Sequence, residues 1–255
     1  LYSLQRRGIK LGLDHTEQLL SFCNNPHRKF STIHVAGTNG KGSTCAYIET
    51  ILRQNGYRVG LYTSPHLLNF NERIRVNGRY ISNKQILQFL DNFFDEINKI
   101  KSTFFEVTTV MAFNYFCEKK VDIAVIETGL GGRLDATNVI SPKISVITSI
   151  SKDHTDILGD SLEKIAYEKA GIIKENTPLI IYQQAYKILE VFRKKATSLN
   201  ADMIISKIPK DISISSKGTQ FIHNNYKYIT PLYGSHQACN ASLAIDVINE
   251  FDSNI

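Results

Sequence analysis

The segment His34-Val35-Ala36-Gly37-Thr38-Asn39-Gly40-Lys41-Gly42-Ser43 constrains the fold of this chain more than any other. Ser31 to Ala36 is apolar and β-favouring and runs straight into the glycine loop Gly37 to Ser43. A helical pattern follows from Thr44 to Gln54, and Asn55-Gly56 stops it. Tyr57 to Thr63 is the next predicted strand, ended at Ser64-Pro65 because proline cannot donate to a central ladder. Strand, glycine loop, helix, strand is a βαβ unit, and such units build parallel sheets. The glycines free backbone N–H groups to face an anion, and the helix adds its positive end. Lys41 is placed to neutralise phosphate oxygens, and the Ser43 or Thr44 hydroxyl to enter a magnesium shell. The loop departs twice from the general pattern GxxxxGK[ST]: Gly42 separates Lys41 from Ser43, and Val35 stands where the first glycine belongs.

The rest of the chain continues the alternation. Arg73 to Ile81 alternates around Asn77-Gly78 and predicts a hairpin. Ile86, Leu87, Leu90, Phe93, Phe94 and Ile97 predict one helix, and Glu106 to Glu118 a second. Val121 to Ile126 is a buried strand delivering Glu127 at its end, and Lys143 to Ile150 is another, ending near Asp153-His154. Asp160 and Glu163 predict a capping-box start for a helix through Lys169. Pro178 to Tyr182, Ala185 to Leu199 and Asp202 to Ser206 repeat strand, helix, strand. Thr219 to Ile229 predicts a second hairpin around Asn224-Asn225, and Gly234-Ser235 opens a last amphipathic helix. The expected fold is α/β: a P-loop NTPase-like, mainly parallel sheet with helices on both faces, plus small β-hairpins.

Composition narrows the functional classes. With 42% hydrophobic and 21% charged residues, disorder and collagen-like repeats are excluded. No apolar run approaches the roughly 18 residues a membrane-spanning helix needs. Leu1 to Arg7 does not read as a secretory signal, and four dispersed cysteines without a CxxC pair point to a reduced cytosolic protein. A formal charge of +6 favours anionic small molecules or nucleic acid. The densest basic cluster, Arg193-Lys194-Lys195, reads as a solvated helix face, so neither nucleic acid nor membrane is expected as a partner. Open α/β sheets bind ligands beyond the carboxyl ends of their strands, where Lys41, Ser43, Ser64, Glu127 and His154 are predicted to fall. Glu127 suits a magnesium-holding carboxylate; His154 and Lys169, taken singly, read as a hydrogen-bonded histidine and a helix lysine.

Taken together, these segments resemble the folylpolyglutamate synthase/dihydrofolate synthase family within the Mur-type ATP-dependent amide ligases. The resemblance rests on His34 to Ser43, on Tyr62-Thr63-Ser64-Pro65-His66-Leu67 and on Phe70-Asn71-Glu72-Arg73-Ile74. It continues through Phe104-Phe105-Glu106, the run Glu127 to Asn138, Asp153-His154-Thr155, Glu168 to Lys174, and Gly234-Ser235-His236-Gln237 with Asn240-Ala241. Gly42, which breaks the general pattern, is this family's own signature.

The resemblance implies that ATP phosphorylates a substrate carboxylate and that glutamate's amine then attacks the acyl phosphate. It implies ATP and two magnesium sites, with a monovalent cation possible in addition, and a monomer acting on a pterin or folate substrate and L-glutamate. ATP would be held by Gly37, Thr38, Asn39, Gly40, Lys41, Gly42 and Ser43, with Asn240 near the base or ribose. Ser64 and Glu127 would serve the first metal and His154 the second, while Lys169 matches the lysine that becomes carbamylated; Lys41, His154 and Lys169 would be the catalytic residues. The pterin side would comprise Lys10, Leu11, Gly12 and Leu13, then Thr103, Phe104, Phe105 and Glu106, and Leu134, Asp135 and Ala136. Phe104 and Phe105 suit stacking on a pterin ring, with core packing equally open to one of them. Residues 1–255 are expected to be the N-terminal ATP-binding domain, without the C-terminal glutamate-ligase domain and poorly active alone. A Mur-type ligase of cell-wall precursors and an inactive ATP-binding fragment are the alternatives.

Overall fold

The apolar runs that end at Ala36, Tyr62, Glu127 and Ile147 become the middle of one sheet. The computed structural model describes residues 1–8, 10, 12–252 and 255. Its main strands are β1 (Ser31–Ala36), β2 (Val59–Tyr62), β3 (Ile74–Val76), β4 (Arg79–Tyr80), β5 (Ile123–Glu127), β6 (Ile144–Ile147), β7 (Leu179–Tyr182) and β8 (Met203–Ser206). They pair in the order β4-β3-β2-β5-β1-β6-β7-β8. Along β2-β5-β1-β6-β7-β8 every pairing is parallel, and β3, antiparallel to both β2 and β4, is the one strand that runs against the rest of this sheet. Val35 lies opposite Glu127 on one side and Val146 on the other, so three strand ends share one rim.

The helices are α1 (Asp14–Phe22), α2 (Lys41–Gln54), α3 (Asn83–Asn92), α4 (Phe94–Ile100), α5 (Phe104–Glu118), α6 (Thr155–Leu158), α7 (Leu162–Ala170), α8 (Tyr186–Ser198) and α9 (Ser235–Phe251). They cover both faces of the sheet, which is why β5 is apolar at successive positions. Ile123 and Val125 pack with Ile48 and Leu52 of α2 and Val247 of α9. Ala124 and Ile126 face the other way, into a cluster with Val107 and Phe113 of α5. Gly60 of β2 leaves room for that helix: a Cβ there would stand 2.9 Å from the Phe116 ring.

Several boundaries differ from expectation, each for a local reason. Helix α2 begins at Lys41, because the backbone already turns helical directly after Gly40. The apolar series from Ile86 to Ile97 is two helices, broken at Phe93, whose φ of −124° lies outside the helical region. Ser161, not Asp160, caps α7 by accepting the Lys164 N–H; Asp160 pairs with the Lys164 ammonium at 2.9 Å instead. The second hairpin gains a third strand, giving an antiparallel sheet of β9 (Lys210–Ser215), β10 (Gly218–His223) and β11 (Tyr226–Thr230). Strand β9 is mostly exposed and carries little apolar signal.

This small sheet packs through Phe221 onto Ala238 and Ala241 of α9 and Tyr47 of α2. Asp246 of α9 pins it further by pairing with His223 Nε2 at 2.8 Å, and it also accepts from Ser206 Oγ of β8 at 2.6 Å. Among the described residues no helix is long and apolar enough to cross a membrane.

Candidate functional site

The loop after β1 is an anion cradle made from backbone. Thr38 N–H donates to the Ser149 carbonyl at 2.7 Å and its hydroxyl to the Ser151 carbonyl at 3.1 Å, tying the loop to the end of β6. Gly37 adopts φ 149° against Thr148, where a Cβ would stand 2.9 Å from the Thr148 Cβ. Gly40 takes φ 86° and supplies no side-chain cap, so the first N–H groups of α2 remain available at the positive end of a 14-residue helix. Lys41 folds back over the loop and donates to the Gly37 and Thr38 carbonyls, both at 3.2 Å.

A second cation reaches the same carbonyl. Lys169, near the end of α7, is buried and donates from Nζ to Gly37 O at 2.6 Å. Burial first, and the nearby Lys41 second, lower its pKa to about 8. Opposite stands Glu127, whose Oε2 accepts the Ser64 N–H at 3.0 Å and lies 3.6 Å from the position a Gly42 Cβ would take. Burial pushes its carboxyl up to about 7, against the pull of the Ser64 N–H, Lys41 and Arg73.

Among the described residues no group of three or more His, Cys, Asp or Glu side chains gathers around one point. A divalent cation nonetheless suits Glu127. Its carboxylate is desolvated beside the uncapped start of α2, and Oε1 accepts no hydrogen bond from the described residues. A hard cation there would restore the ionised form and take oxygen ligands from Glu127 and the Ser64 hydroxyl. His154 makes no hydrogen bond to either residue. It precedes α6 in the left-handed region at φ 48°, is exposed, and lies 3.8 Å from Asp153.

One cavity adjoins the loop and a second opens beside Ser64. The first, of about 370 Å³, is lined by Asn39, Gly40, Tyr182, His236, Cys239 and Asn240. Asn240 packs so closely on Gly40 that a Cβ there would stand 3.0 Å from its Cγ. The other, of about 280 Å³, brings together Lys10, Ser64, Phe105, Leu134, Ala136 and His154 from distant parts of the chain. Thr103, Glu106 and Asp135 also line it, so most of the expected pterin-side residues do converge.

Others do not converge. Phe104 is absent from that lining; it stacks on Tyr2 at 6.1 Å and meets Phe70 edge-on at 6.0 Å. Successive residues on a helix point about 100° apart, so only Phe105 of the pair faces the cavity, lying against Gly129. Gly12 donates its N–H to the Leu134 carbonyl at 3.4 Å, Leu13 precedes α1, and neither lines the cavity. Leu11 lies outside the described residues.

Two of the acids are already occupied. Glu106 caps α5 through the Thr103 N–H at 2.6 Å. Asp135 accepts the Gly129 and Leu130 N–H groups on Oδ2 and the Thr137 N–H and hydroxyl on Oδ1. Thr137 accepts in turn from His34 Nε2 at 2.8 Å, and burial, with Lys174 adding to it, lowers that histidine's pKa to about 3. Sequence reasoning missed this buried chain, and it gave no role to Arg73, which also lines the cavity.

A parallel sheet whose first strand feeds a glycine loop, an uncapped helix and a lysine folded over the loop defines a nucleotide-binding α/β domain of the P-loop class. Residues 35–248 match the Mur ligase middle domain. The chain belongs to the Mur ligase family, on its folylpolyglutamate synthase/dihydrofolate synthase branch. It is 41% identical to the dihydrofolate synthase/folylpolyglutamate synthase of Bacillus subtilis, the match covering 93% of this chain and 59% of that protein. The folylpolyglutamate synthase of Mycobacterium tuberculosis complexed with ADP superposes with a TM-score of 0.91 at 34% identity, over 98% of this chain and 60% of the other. The Thermotoga maritima folylpolyglutamate synthase gives 0.84 at 38% identity, over 95% and 59%. The chain thus spans about three fifths of the length of these relatives.

Proposed function

We propose that this chain is the ATP-binding domain of a ligase that joins L-glutamate to the carboxylate of a pteroate or folate. The observation that carries this reading is the glycine loop with Lys41 folded over it, beside a nucleotide-sized space lined by Asn39, Gly40 and Asn240, together with the Ser64 N–H bond to Glu127, Ser64 itself lining the aromatic-walled space. The membership in a family of amide ligases supports it.

In this reading the N–H groups of Gly42 and Ser43, with Lys41, hold the phosphates of ATP. A carboxylate oxygen of the acceptor attacks the γ-phosphorus, the bond to the bridging oxygen breaks, and ADP leaves. Glutamate's amine then attacks the acyl carbon, loses a proton, and inorganic phosphate departs. Little covalent work falls to the protein; it positions the groups and neutralises charge. Ser64 and Glu127 would hold a magnesium ion, which when bound would further neutralise phosphate oxygens. Lys169, with its pKa lowered to about 8, has a fraction of neutral amine near neutral pH; that amine would add carbon dioxide with loss of a proton, and the carbamate, with His154, would hold a second magnesium. The four free cysteines suit a reducing cytosol.

The test is glutamate-dependent ADP release by the full-length gene product, with Mg–ATP and either dihydropteroate or tetrahydrofolate, backed by Mg–ATP titration of the 255-residue chain. Release with both acceptors marks a bifunctional synthase, and release with tetrahydrofolate alone marks polyglutamate extension. Tight Mg–ATP binding with no response to either acceptor overturns the folate reading.

A further inference from the structure

Arg73 is a buried cation that makes no ion pair among the described residues, Glu127 acting on it only from beyond contact. It ends the 3-10 turn Phe70–Arg73, is only 8% exposed, and lines the 280 Å³ cavity beside Ser64, Phe105 and Asp135. Its Nε donates to His66 Nδ1 at 2.7 Å, and its guanidinium carbon lies 5.3 Å from the centre of the Phe104 ring. Among the described residues its two terminal nitrogens have no hydrogen-bond partner, and no carboxylate comes within the 4.0 Å of an ion pair. The candidate acids are otherwise engaged. Asp135 gives both oxygens to Gly129, Leu130 and Thr137, and Glu127 turns Oε2 to Ser64.

The side chain is held in this state in advance. The Glu72 carboxylate accepts the N–H groups of Leu67, Leu68 and Asn69 at 2.7, 3.1 and 2.8 Å. One acid therefore closes the segment that carries both His66 and Arg73. A desolvated, unpaired guanidinium is costly unless something balances it. Its free edge is a planar fork that matches a carboxylate with two parallel hydrogen bonds. A phosphate has a different claim, but Lys41 and Lys169 already stand at the phosphate loop.

We propose that Arg73 receives the carboxylate of the acceptor substrate and makes the site selective for the free acid. This rests on the ligase reading above. The guanidinium holds the anion against the cavity wall and offsets its repulsion from the triphosphate, so that carboxylate and γ-phosphate can meet. Phe105, on the same cavity, stays available to the ring system of the ligand.

Calorimetric titration with pteroate and with its neutral carboxamide tests this on the intact chain, in the presence of a non-hydrolysable Mg–ATP analogue. The wild type should prefer the acid by about tenfold to a hundredfold, the range of a charge-assisted pair. Arg73→Gln should bring that ratio close to one, leaving carboxamide and nucleotide affinities within about twofold, and Arg73→Lys should restore part of the preference. Equal binding of acid and carboxamide by the wild type overturns the proposal without any variant, which guards against a misfolded Arg73→Gln. Parallel loss of both ligands in a folded Arg73→Gln, or loss of nucleotide alone, overturns it too. Binding of the nucleotide analogue by the wild type, with neither pterin ligand bound, overturns the ligase reading itself and the proposal with it.

Discussion

The phosphate loop and the neighbouring cavity sit on the same rim of the sheet yet are built in opposite ways. The loop uses consecutive residues, Gly37 to Ser43, and offers mainly backbone. The cavity collects Lys10, Ser64, Arg73, Phe105, Asp135 and His154 from separate segments and offers side chains. A backbone site tolerates many side chains but no added Cβ where the chain passes close to a neighbour. A side-chain site depends instead on buried hydrogen bonds that keep distant segments in register. Changes in the two regions should therefore fail differently.

The largest expected effect lies in the cavity wall. Asp135→Ala strands the N–H groups of Gly129, Leu130 and Thr137, which now converge on one carboxylate. We expect a loss of about 4 kcal/mol in unfolding free energy by denaturant titration, several buried hydrogen bonds being left unmade. Pteroate binding should fall with it, while the folded fraction still binds Mg–ATP. Equal loss of both ligands from that fraction breaks the distinction between the regions.

Two buried charges give the next effect, with opposite signs. The Glu127 carboxyl, raised from 4.5 to about 7, binds a proton more readily folded than unfolded. Its contribution to stability is present below pH 4.5 and is lost as pH rises to about 7. The loss is on the order of 3 kcal/mol. The Lys169 ammonium, lowered from 10.5 to about 8, behaves the other way: its contribution is present above 10.5 and is lost as pH falls through 8. The ligand-free chain thus carries both penalties between about pH 7 and 8. Subtracting the stability curve of Glu127→Gln from that of the wild type isolates the acid arm and removes the histidine contributions common to both. A flat difference between pH 4.5 and 7 shows that the carboxyl is ordinary.

How far each region was legible in the sequence follows from the same contrast. The loop, the strand before it and Glu127 at the end of β5 depend on neighbours in the chain, and their positions could be read off directly. The capping boxes of α3 and α5 are local too, yet they were not read: α5 was expected to start at Glu106 rather than after Thr103, and a one-residue ambiguity assigned the start of α7 to Asp160 instead of Ser161. Arg73 was opaque. Arg73-Ile74-Arg75 alternates like an edge hairpin with solvated arginines, and only the pairing of β3 beside β2 puts Arg73 under the cavity. The division of labour between Phe104 and Phe105 also needed the orientation of α5. His34 was quoted as part of the loop motif, yet its partner Thr137 is 103 residues away.

The loop should break through a single methyl group. In Gly37→Ala the new Cβ meets the Thr148 side chain in a backbone region that alanine rarely adopts. Mg–ATP affinity should drop by about a hundredfold, since strain and a displaced cradle act together. Pteroate affinity measured without nucleotide should stay within about threefold. Unchanged nucleotide binding would mean that the phosphates lie elsewhere on the rim.

The smallest effect tests a side-chain link between the regions. His34 belongs to β1, which ends in the loop, and its Nε2 meets the Thr137 hydroxyl at 2.8 Å. That hydroxyl donates onward to Asp135, so His34 must be the donor to it and is held neutral by burial. Thr137→Val keeps the shape but leaves the His34 N–H buried and unpaired. About 2 kcal/mol of stability should go, seen as a melting temperature lower by roughly 4–8 °C. If the link only braces the wall, nucleotide and pteroate affinities measured below the transition stay as they were. If it also carries information, nucleotide saturation changes pteroate affinity in the wild type and ceases to do so in Thr137→Val. The Asp135 backbone bonds to Gly129 and Leu130 survive that substitution, so the bracing result is the one the geometry favours.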